Sequence, residues 1–456
     1  MWHPKLRRGD GSIYEQLVET LTRDVAAGTL AAGAQLPPQR DLAYELKIGV
    51  GTVTKVYAEA RRRGLLTAHV GRGSFVAGAA PDSVSNSEPI DFLHNVVTHG
   101  AAPARLDAAL QAIRKRSDIA AHSRHAPPLG FDAHRRAGAK YLREFVGFDT
   151  DWRRLVVCQG GQHAMALAFA SLCRPGDTVL TEAATFAGMK TLAEQLGLRL
   201  LGLGMDEQGL MPDAVDRGAA TGAKVLYTIP TLQNPTGRLM SAKRRGEIAA
   251  VARCRNITIV EDDIYAPFVS TQQRPAPLSA YAPERSFHIA SLSKAIAPGL
   301  RCGYLIAPDD AALEGVVRCV RAFSYAPAVF GALIGTQWIE DGSAHEICDA
   351  ARRSVAERLT VARRILGPAI EGPYLPIAPH VWLPMSDLDA ERVAGRALRQ
   401  GVAVTPPSIP IVDAAQMSGL RLCIGAPADI ASLERGLKIV RHALSGNTGE
   451  GLNAVV

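Results

Sequence analysis

What the chain lacks sets the first limits. Its 456 residues contain no run of eighteen or more apolar residues, which argues against a membrane-spanning helix. The opening stretch, MWHPKLRRGDGSIYEQL, has no apolar core of the kind a secretory signal needs. Seven cysteines, at 158, 173, 254, 302, 319, 348 and 423, form no CxxC and are odd in number. That argues against a disulfide framework and against any zinc site, and it fits a reducing cytoplasm. An acidic excess is also missing. The net charge is +7, and it is uneven: residues 1–80 hold eleven Lys/Arg against seven Asp/Glu. A basic front end is expected of a module that binds a polyanion. The length is too great for one ordinary domain.

The front end carries a recognisable pattern. Ile13, Leu17, Leu21 and Val25 recur at helical spacing, with Ser12 and Glu15 placed for a capping box and Gly28 for a stop. Pro37-Pro38 then forces a turn. RDLAYEL reads as a short second helix, and GTVTKVYAEARRRG as a third. Two short strand-like runs follow around Gly71-Arg72-Gly73. Helix, short helix, helix and a hairpin with a basic tip make a winged helix-turn-helix. Its third helix can enter the major groove of double-stranded DNA with Thr52 and Thr54 near base edges and Lys55 near phosphate. Arg40 is placed to meet the backbone, and Arg72 and Gly73 suit a minor groove. LPPQRDLAYEL…GTVTKVYAEARRRGLL…GRGSFVA resembles the GntR family of bacterial regulators over roughly seventy residues. Where many members place Ser-Arg before the third helix, this chain has Gly49-Val50.

Residues 77–100 lose periodicity and read as a linker, with the more apolar IDFLHNVV docking on the next domain. From about residue 100 strand-like runs alternate with helices: RRLVVCQ, DTVLTE, KVLYTIP, ITIVED and SFHIASL, separated by stretches such as GQHAMALAFASLC. That alternation predicts a mostly parallel sheet wrapped by helices, with ligand groups just past the carboxyl ends of strands. Polar residues gather at those ends: Gly160, Gly161 and Gln162; Asn234; Asp262 and Tyr265; Ser291, Ser293 and Lys294. Each alone is weak, since NPTG is a good turn and a loop lysine is usually only solvated. Together they match the needs of pyridoxal 5′-phosphate. Its aldehyde needs an amine, its ring nitrogen a carboxylate, its phenolic oxygen neutral donors and its phosphate a helix N-terminus with hydroxyls and a cation.

From about 100 to 445 the chain resembles fold-type I aminotransferases. The resemblance implies that Lys294 forms the imine with the cofactor and that Asp262 pairs with the pyridine nitrogen. It implies that Asn234 and Tyr265 bond the phenolate, and that Gly161, Gln162, Ser291, Ser293 and Arg301 surround the phosphate. Phe186 stands where the family usually stacks a Tyr. Arg421, in GLRLCIGA, matches the arginine that clamps a substrate carboxylate. In RHAPPLGF the chain offers His125 where related chains carry a Tyr that reaches the partner subunit's site.

The fusion is identified as a member of the MocR-type subfamily of GntR regulators. The expected fold is a winged helix-turn-helix (α+β) at 1–78, a linker at 79–100, and an α/β, PLP-binding aminotransferase-like domain at 101–445. A smaller C-terminal α/β lobe is expected from about 330, and a disordered tail over 446–456. The resemblance implies a cytoplasmic head-to-tail homodimer, nucleoid-associated through an operator, that senses a small amino compound by transimination at Lys294. Two alternatives stand beside it: a working aminotransferase with an accessory DNA module, and a regulator of vitamin B6 supply that senses the cofactor itself.

Overall fold

The computed structural model describes residues 2, 4, 12–27, 29–31, 33–69, 73–76, 89–97, 100–372 and 377–446. Gly28 as a helix stop, Gly71 and Arg72 at the wing tip, most of the linker and the tail from 447 lie outside the described residues. The chain divides into two compact units, Met1–Glu88 and Pro89–Val456. Among the described residues no helix is long and apolar enough to cross a membrane.

In the first unit, helix α1 (Ile13–Ala26) begins with the expected capping box: the Glu15 amide donates to the Ser12 hydroxyl at 3.3 Å, and the Ser12 amide donates to the Glu15 carboxylate at 3.1 Å. Helix α2 (Gln39–Leu46) starts directly after Pro38, and helix α3 (Val50–Arg62) follows a sharp turn in which Lys47 is left-handed. The Tyr57 hydroxyl donates to Pro37 O at 2.8 Å, which ties α3 to the turn before α2. Strands β1 (Leu66–His69) and β2 (Gly73–Val76) pair antiparallel. Leu17, Leu21, Leu42, Val53, Val56 and Val76 share one core. Burying each contributes about 1.5–3 kcal/mol before entropy is counted, so this core is what orders three short helices. The result is the winged helix-turn-helix expected from the spacing.

The second unit is built on a seven-stranded sheet. Its strands are β4 (Leu155–Cys158), β5 (Thr178–Glu182), β6 (Arg199–Leu203), β9 (Val225–Thr228), β10 (Thr258–Asp262), β11 (Ser286–Ser291) and β12 (Gly303–Ile306). A two-residue hairpin, β7 (Met205–Asp206) with β8 (Gly209–Leu210), lies between β6 and β9. The order is β4-β12-β11-β10-β9-β5-β6, and every pairing is parallel except those of β12. The parallel strands are near-continuous apolar runs because helices cover both faces. Since β12 runs against both β4 and β11, its start lies beside their ends. Residues that precede β12 therefore share an edge with residues just past the ends of the other strands.

A second core lies beyond the sheet. Strands β13 (Val381–Pro384) and β15 (Gly419–Leu422) pair antiparallel, and β14 (Val402–Val404) pairs in parallel with β3 (Ile90–Phe92). Phe92, within the stretch read as linker, is fully buried in this core with Leu383, Leu420 and Leu437. The docking of IDFLHNVV is thus a strand pairing. The smaller lobe begins later than residue 330. Trp338, Ile347, Ala351 and Val355 belong to the core around the large sheet, and Leu359, Ala362 and Leu366 to the second core. The change falls inside one continuous helix, Ser343–Leu366, whose apolar stripe serves both cores in turn.

Candidate functional site

The predicted site residues of the second unit, Arg421 on β15 aside, lie at strand ends that share one edge of the large sheet. Gly160 and Gly161 come after β4, Phe186 after β5 and Asn234 after β9; Asp262 ends β10, and Ser291 ends β11 with Lys294 just beyond. Arg301 precedes β12, on the same edge because β12 runs antiparallel to its neighbours.

One part of the site gathers groups whose chemistry suits an anion. The helix Gly161–Leu172 starts with no side-chain cap, so its first amides are available to a ligand. Gly160 precedes it at φ 83°, and a Cβ there would come within 2.9 Å of Arg301 Nη2. Only glycine allows that approach. Arg301 is itself left-handed and donates to Gln159 O at 3.2 Å. The Ser291 hydroxyl is 3.0 Å from that of Ser293 and accepts from the Ser293 amide at 3.2 Å. Gln162 is exposed and donates to Gly188 O at 3.0 Å, which turns it toward the Phe186 loop. Phe186 is half-buried at the start of the helix Ala187–Gln195, its ring packed on Gly188 where a Cβ would collide.

Deeper in, the site holds charge in an apolar setting. Asp262 is buried; one carboxylate oxygen accepts from the Tyr227 hydroxyl at 2.8 Å, and the other, Oδ1, has no partner among the described residues. Burial pushes its pKa up to about 6, against the hydrogen bond from Tyr227. An unsatisfied buried carboxylate oxygen is costly unless a cation or N–H donor meets it. Its neighbours Glu261 and Asp263 alternate onto the opposite face. There Glu261 pairs with buried Arg245 at 3.5 Å and accepts from Ser279 N at 2.6 Å, which fixes the strand end.

Lys294 extends to Asn95 O at 2.5 Å and lies 6.0 Å from the centre of the Tyr265 ring. Burial lowers its pKa to about 8. The Tyr265 hydroxyl accepts from Asn95 Nδ2 at 2.9 Å and from Asn234 Nδ2 at 3.4 Å, and burial raises its pKa well above the usual phenol range. Arg421, on β15, is buried; it donates to Asn234 Oδ1 at 3.0 Å, Thr405 Oγ1 at 2.9 Å and Leu93 O at 2.8 Å. Its Nε has no partner among the described residues. The structure therefore brings Tyr265, Asn234 and Arg421 into one hydrogen-bonded chain, with Lys294 near the Tyr265 ring and within the field of Asp262 and Arg421.

Three participants were not foreseen. Asn95 touches Lys294 through its carbonyl and Tyr265 through its amide. His380 accepts from Asn95 Nδ2 at 3.0 Å and donates from Nε2 to Gln233 O at 3.0 Å; burial lowers its pKa to about 3, so it is neutral. Tyr227 positions Asp262. The only local signal was the apolar IDFLHNVV run for Asn95, and the strand HVWLPM for His380. His125 is exposed, its ring edge-on to Tyr325 at 5.5 Å.

These residues fit pyridoxal phosphate on three structural grounds. The cradle suits a phosphate, the orphaned Asp262 Oδ1 suits a ring N–H⁺, and Lys294 is an amine of depressed pKa that feels the charges of both Asp262 and Arg301.

In the first unit Arg40, Thr54 and Lys55 are exposed, and Thr52 is partly so. The Thr54 hydroxyl donates to Gln39 Oε1 at 2.7 Å, so it joins α3 to α2 as well as facing outward. Gly73 opens β2 at φ 104°, and Val50, where the resemblance expected Arg, is 44% exposed at the start of α3.

Residues 87–440 match the family described as aminotransferase class I and II, and residues 13–76 match the bacterial regulatory proteins of the gntR family. An HTH-type transcriptional regulator of Bacillus subtilis, YdeF, is 28% identical over 98% of this chain and 97% of its own. The HTH-type pyridoxine biosynthesis transcriptional regulator PdxR of Corynebacterium glutamicum is 26% identical over 66% of this chain and 67% of its own. Among solved structures, an archaeal alanine:glyoxylate aminotransferase superposes with a TM-score of 0.72 at 22% identity, covering 87% of this chain and 95% of that one. The fold is thus that of the fold-type I aminotransferases behind a GntR-type head. The chain belongs to the class I and II aminotransferase family over residues 87–440 and, with its GntR domain at 13–76, is a MocR-type member of the GntR transcriptional regulators.

Proposed function

We propose that this chain is a pyridoxal-phosphate-dependent transcriptional regulator: the first unit binds operator DNA, and the second holds the cofactor through Lys294 and senses a small amino compound. The observation that carries this is the buried set around Lys294, whose unsatisfied carboxylate and depressed amine await a ligand of that chemistry, in the same chain as a winged helix-turn-helix.

Pyridoxal phosphate, when bound, supplies an aldehyde for a primary amine and an electron-withdrawing pyridine ring. The chain's own groups do the rest. The amides at Gly161 and Gln162, the Ser291 and Ser293 hydroxyls and Arg301 hold the phosphate. Phe186 supplies a flat apolar face. Asp262 keeps a proton on the ring nitrogen, and Asn234 and Tyr265 donate to the phenolic oxygen. Lys294, lowered to about 8, keeps a share of free amine near neutral pH, the form that would add to the cofactor's aldehyde. Arg421 is placed for a ligand carboxylate once it lets go of Leu93 O and Thr405. Full transamination further needs a base at the ligand α-carbon, for which Lys294 is the placed group. A sensor needs only the exchange at Lys294.

Two copies arranged head to tail would bring two DNA-reading heads to paired half-sites in the cytoplasm. Exposed Leu110, Phe323, Tyr325 and Phe330 support a self-association surface on the second unit. On the DNA side, Arg40, Lys55 and Arg72 serve phosphate and groove contact, with Thr52, Thr54 and Gly73 near the bases.

Absorbance of purified protein titrated with pyridoxal phosphate tests the cofactor assignment; Lys294→Ala is expected to lose the lysine-linked band, and an unchanged band overturns it. A second reading is favoured by the name of the Corynebacterium relative: the ligand is a B6 compound itself. In that case the cofactor alone changes affinity for DNA from upstream of the chain's own gene, and amines add nothing.

A further inference from the structure

Residues 90–97 stand between the two functions. They come directly after the segment that joins the units, and Pro89 opens the second unit. They are tied down along their length. At one end β3 pairs with β14, and the Cys423 amide donates to Phe92 O at 3.0 Å. Next, Leu93 O accepts from Arg421 Nη2 at 2.8 Å and from the Cys423 thiol at 3.4 Å. Asn95 O then accepts from Lys294 Nζ at 2.5 Å, while the Asn95 amide donates to Tyr265 and His380. Val96 packs on Gly425, where a Cβ would collide with Val96 O. The chain's own carbonyls thus occupy the two cations, Lys294 and Arg421, that the proposed ligands need.

We infer that Asn95 is a positioning residue through which residues 93–97, the start of the second unit, report the chemical state of Lys294. The inference rests on the proposed cofactor assignment. Its chemistry is simple. Lys294 as a free amine or ammonium has N–H to give Asn95 O. When Nζ condenses with an aldehyde as the free amine, the ammonium having first given up a proton, a C=N bond forms and its two N–H hydrogens leave with the aldehyde oxygen as water, so the neutral imine nitrogen has none to give. The tie to Asn95 O is lost. A primary amine that exchanges in takes over the carbon and returns Nζ as free amine, so the tie can re-form. Arg421 adds a second, independent tie at Leu93 O that a ligand carboxylate removes. The segment is therefore held at both points with no ligand, released at Asn95 when Lys294 is linked, and held at Asn95 but released at Leu93 with an amino acid bound. Asn95 Oδ1 has no partner among the described residues, so the side chain has an acceptor to offer a ligand as the segment shifts.

Hydrogen–deuterium exchange of peptides covering 90–97 tests this on the full-length protein in three states: without cofactor, with pyridoxal phosphate, and with pyridoxal phosphate plus aminooxyacetate, whose amino group displaces lysine and whose carboxylate suits Arg421. Absorbance is read on the same samples. The expected result is a several-fold faster exchange at 95–97 on cofactor linkage, reversed by aminooxyacetate, while 93–94 exchanges faster only in the third state. Asn95→Ala keeps the carbonyl that meets Lys294 but loses the bonds to Tyr265 and His380, so it is expected to raise exchange in all three states with the lysine-linked band and the difference between states retained, and Asn95→Gln to recover part of the protection. A lysine-linked band with unchanged exchange at 95–97 overturns the inference alone. Failure of any lysine-linked band to form overturns the cofactor assignment and the inference with it.

Discussion

In the first unit the residues assigned to DNA, Arg40, Thr54 and Lys55, lie exposed on a small apolar core. In the second, Asp262, Asn234 and Arg421 are buried within the fold, and Lys294 reaches in beside them. The contrast stems from the ligands. A DNA backbone brings dense charge and its own water, so the protein need only present cations and let counterions go. A small cofactor must be held in a dry pocket, where each polar group is matched or left costly until the ligand comes. The first region trades on exposure, the second on desolvation, and mutations should act accordingly.

The largest effect is expected at Lys294. Lys294→Ala removes the covalent anchor, and the lysine-linked absorbance should vanish entirely while DNA binding without ligand persists. Next is the phosphate cradle. Arg301→Ala removes a charge-assisted contact worth roughly 1.5–3 kcal/mol, so cofactor affinity should fall about 10- to 100-fold with the band restored at saturation. Equal affinity in titration would break the cradle assignment.

Asp262 sharpens the contrast in the opposite direction. Its pKa is raised from 3.8 to about 6 by burial. An acid with a raised folded pKa costs stability once the unfolded chain ionises. The cofactor-free protein should therefore lose about 2–3 kcal/mol from this group as pH rises from about 4 to about 6. Asp262→Asn should flatten that loss in denaturant titrations and raise cofactor-free stability at neutral pH, while weakening cofactor binding. A desolvated functional group is predicted to stabilise the fold when removed; a purely structural one is not. Lys294 gives the matching pH test: the rate of cofactor uptake should rise with pH through about 8, where the free amine becomes the main form.

The smallest effects belong to the exposed region. Arg40→Ala or Lys55→Ala should weaken DNA binding several-fold and reduce the salt slope by about one counterion, leaving cofactor content unchanged. Filter-binding or anisotropy across a salt series would show it, and an unchanged slope would remove that residue from the phosphate contacts.

Much of this was legible because the signals are local. A capping box, two prolines before a helix and glycines in a hairpin are short-range patterns, so α1, α2, α3 and the β1–β2 hairpin could be placed from spacing. The gathering of the candidate site was legible for a related reason: a parallel sheet collects its strand ends on one edge, so motifs scattered from Gly161 to Arg301 converge. What was missed depends on contacts across the chain. Asn95 lies 199 residues from Lys294 and 170 from Tyr265, in a stretch whose composition reads as linker. His380 reaches Asn95 across 285 residues. The lobe boundary was misplaced because one helix, Ser343–Leu366, carries a single apolar stripe into two cores, and periodicity cannot mark where one core ends.

The central claim is that exchange at Lys294, rather than sustained turnover, is what the second unit does for the first. The most direct measurement mixes cofactor-loaded protein with a panel of amino acids and a keto-acid acceptor. It tracks absorbance, keto-acid product and affinity for DNA from upstream of the gene in the same samples. The account predicts that an amino compound that changes the absorbance also changes DNA affinity, with product no greater than about one equivalent per site. Continuous product formation with DNA affinity unmoved would contradict it and make the chain an aminotransferase.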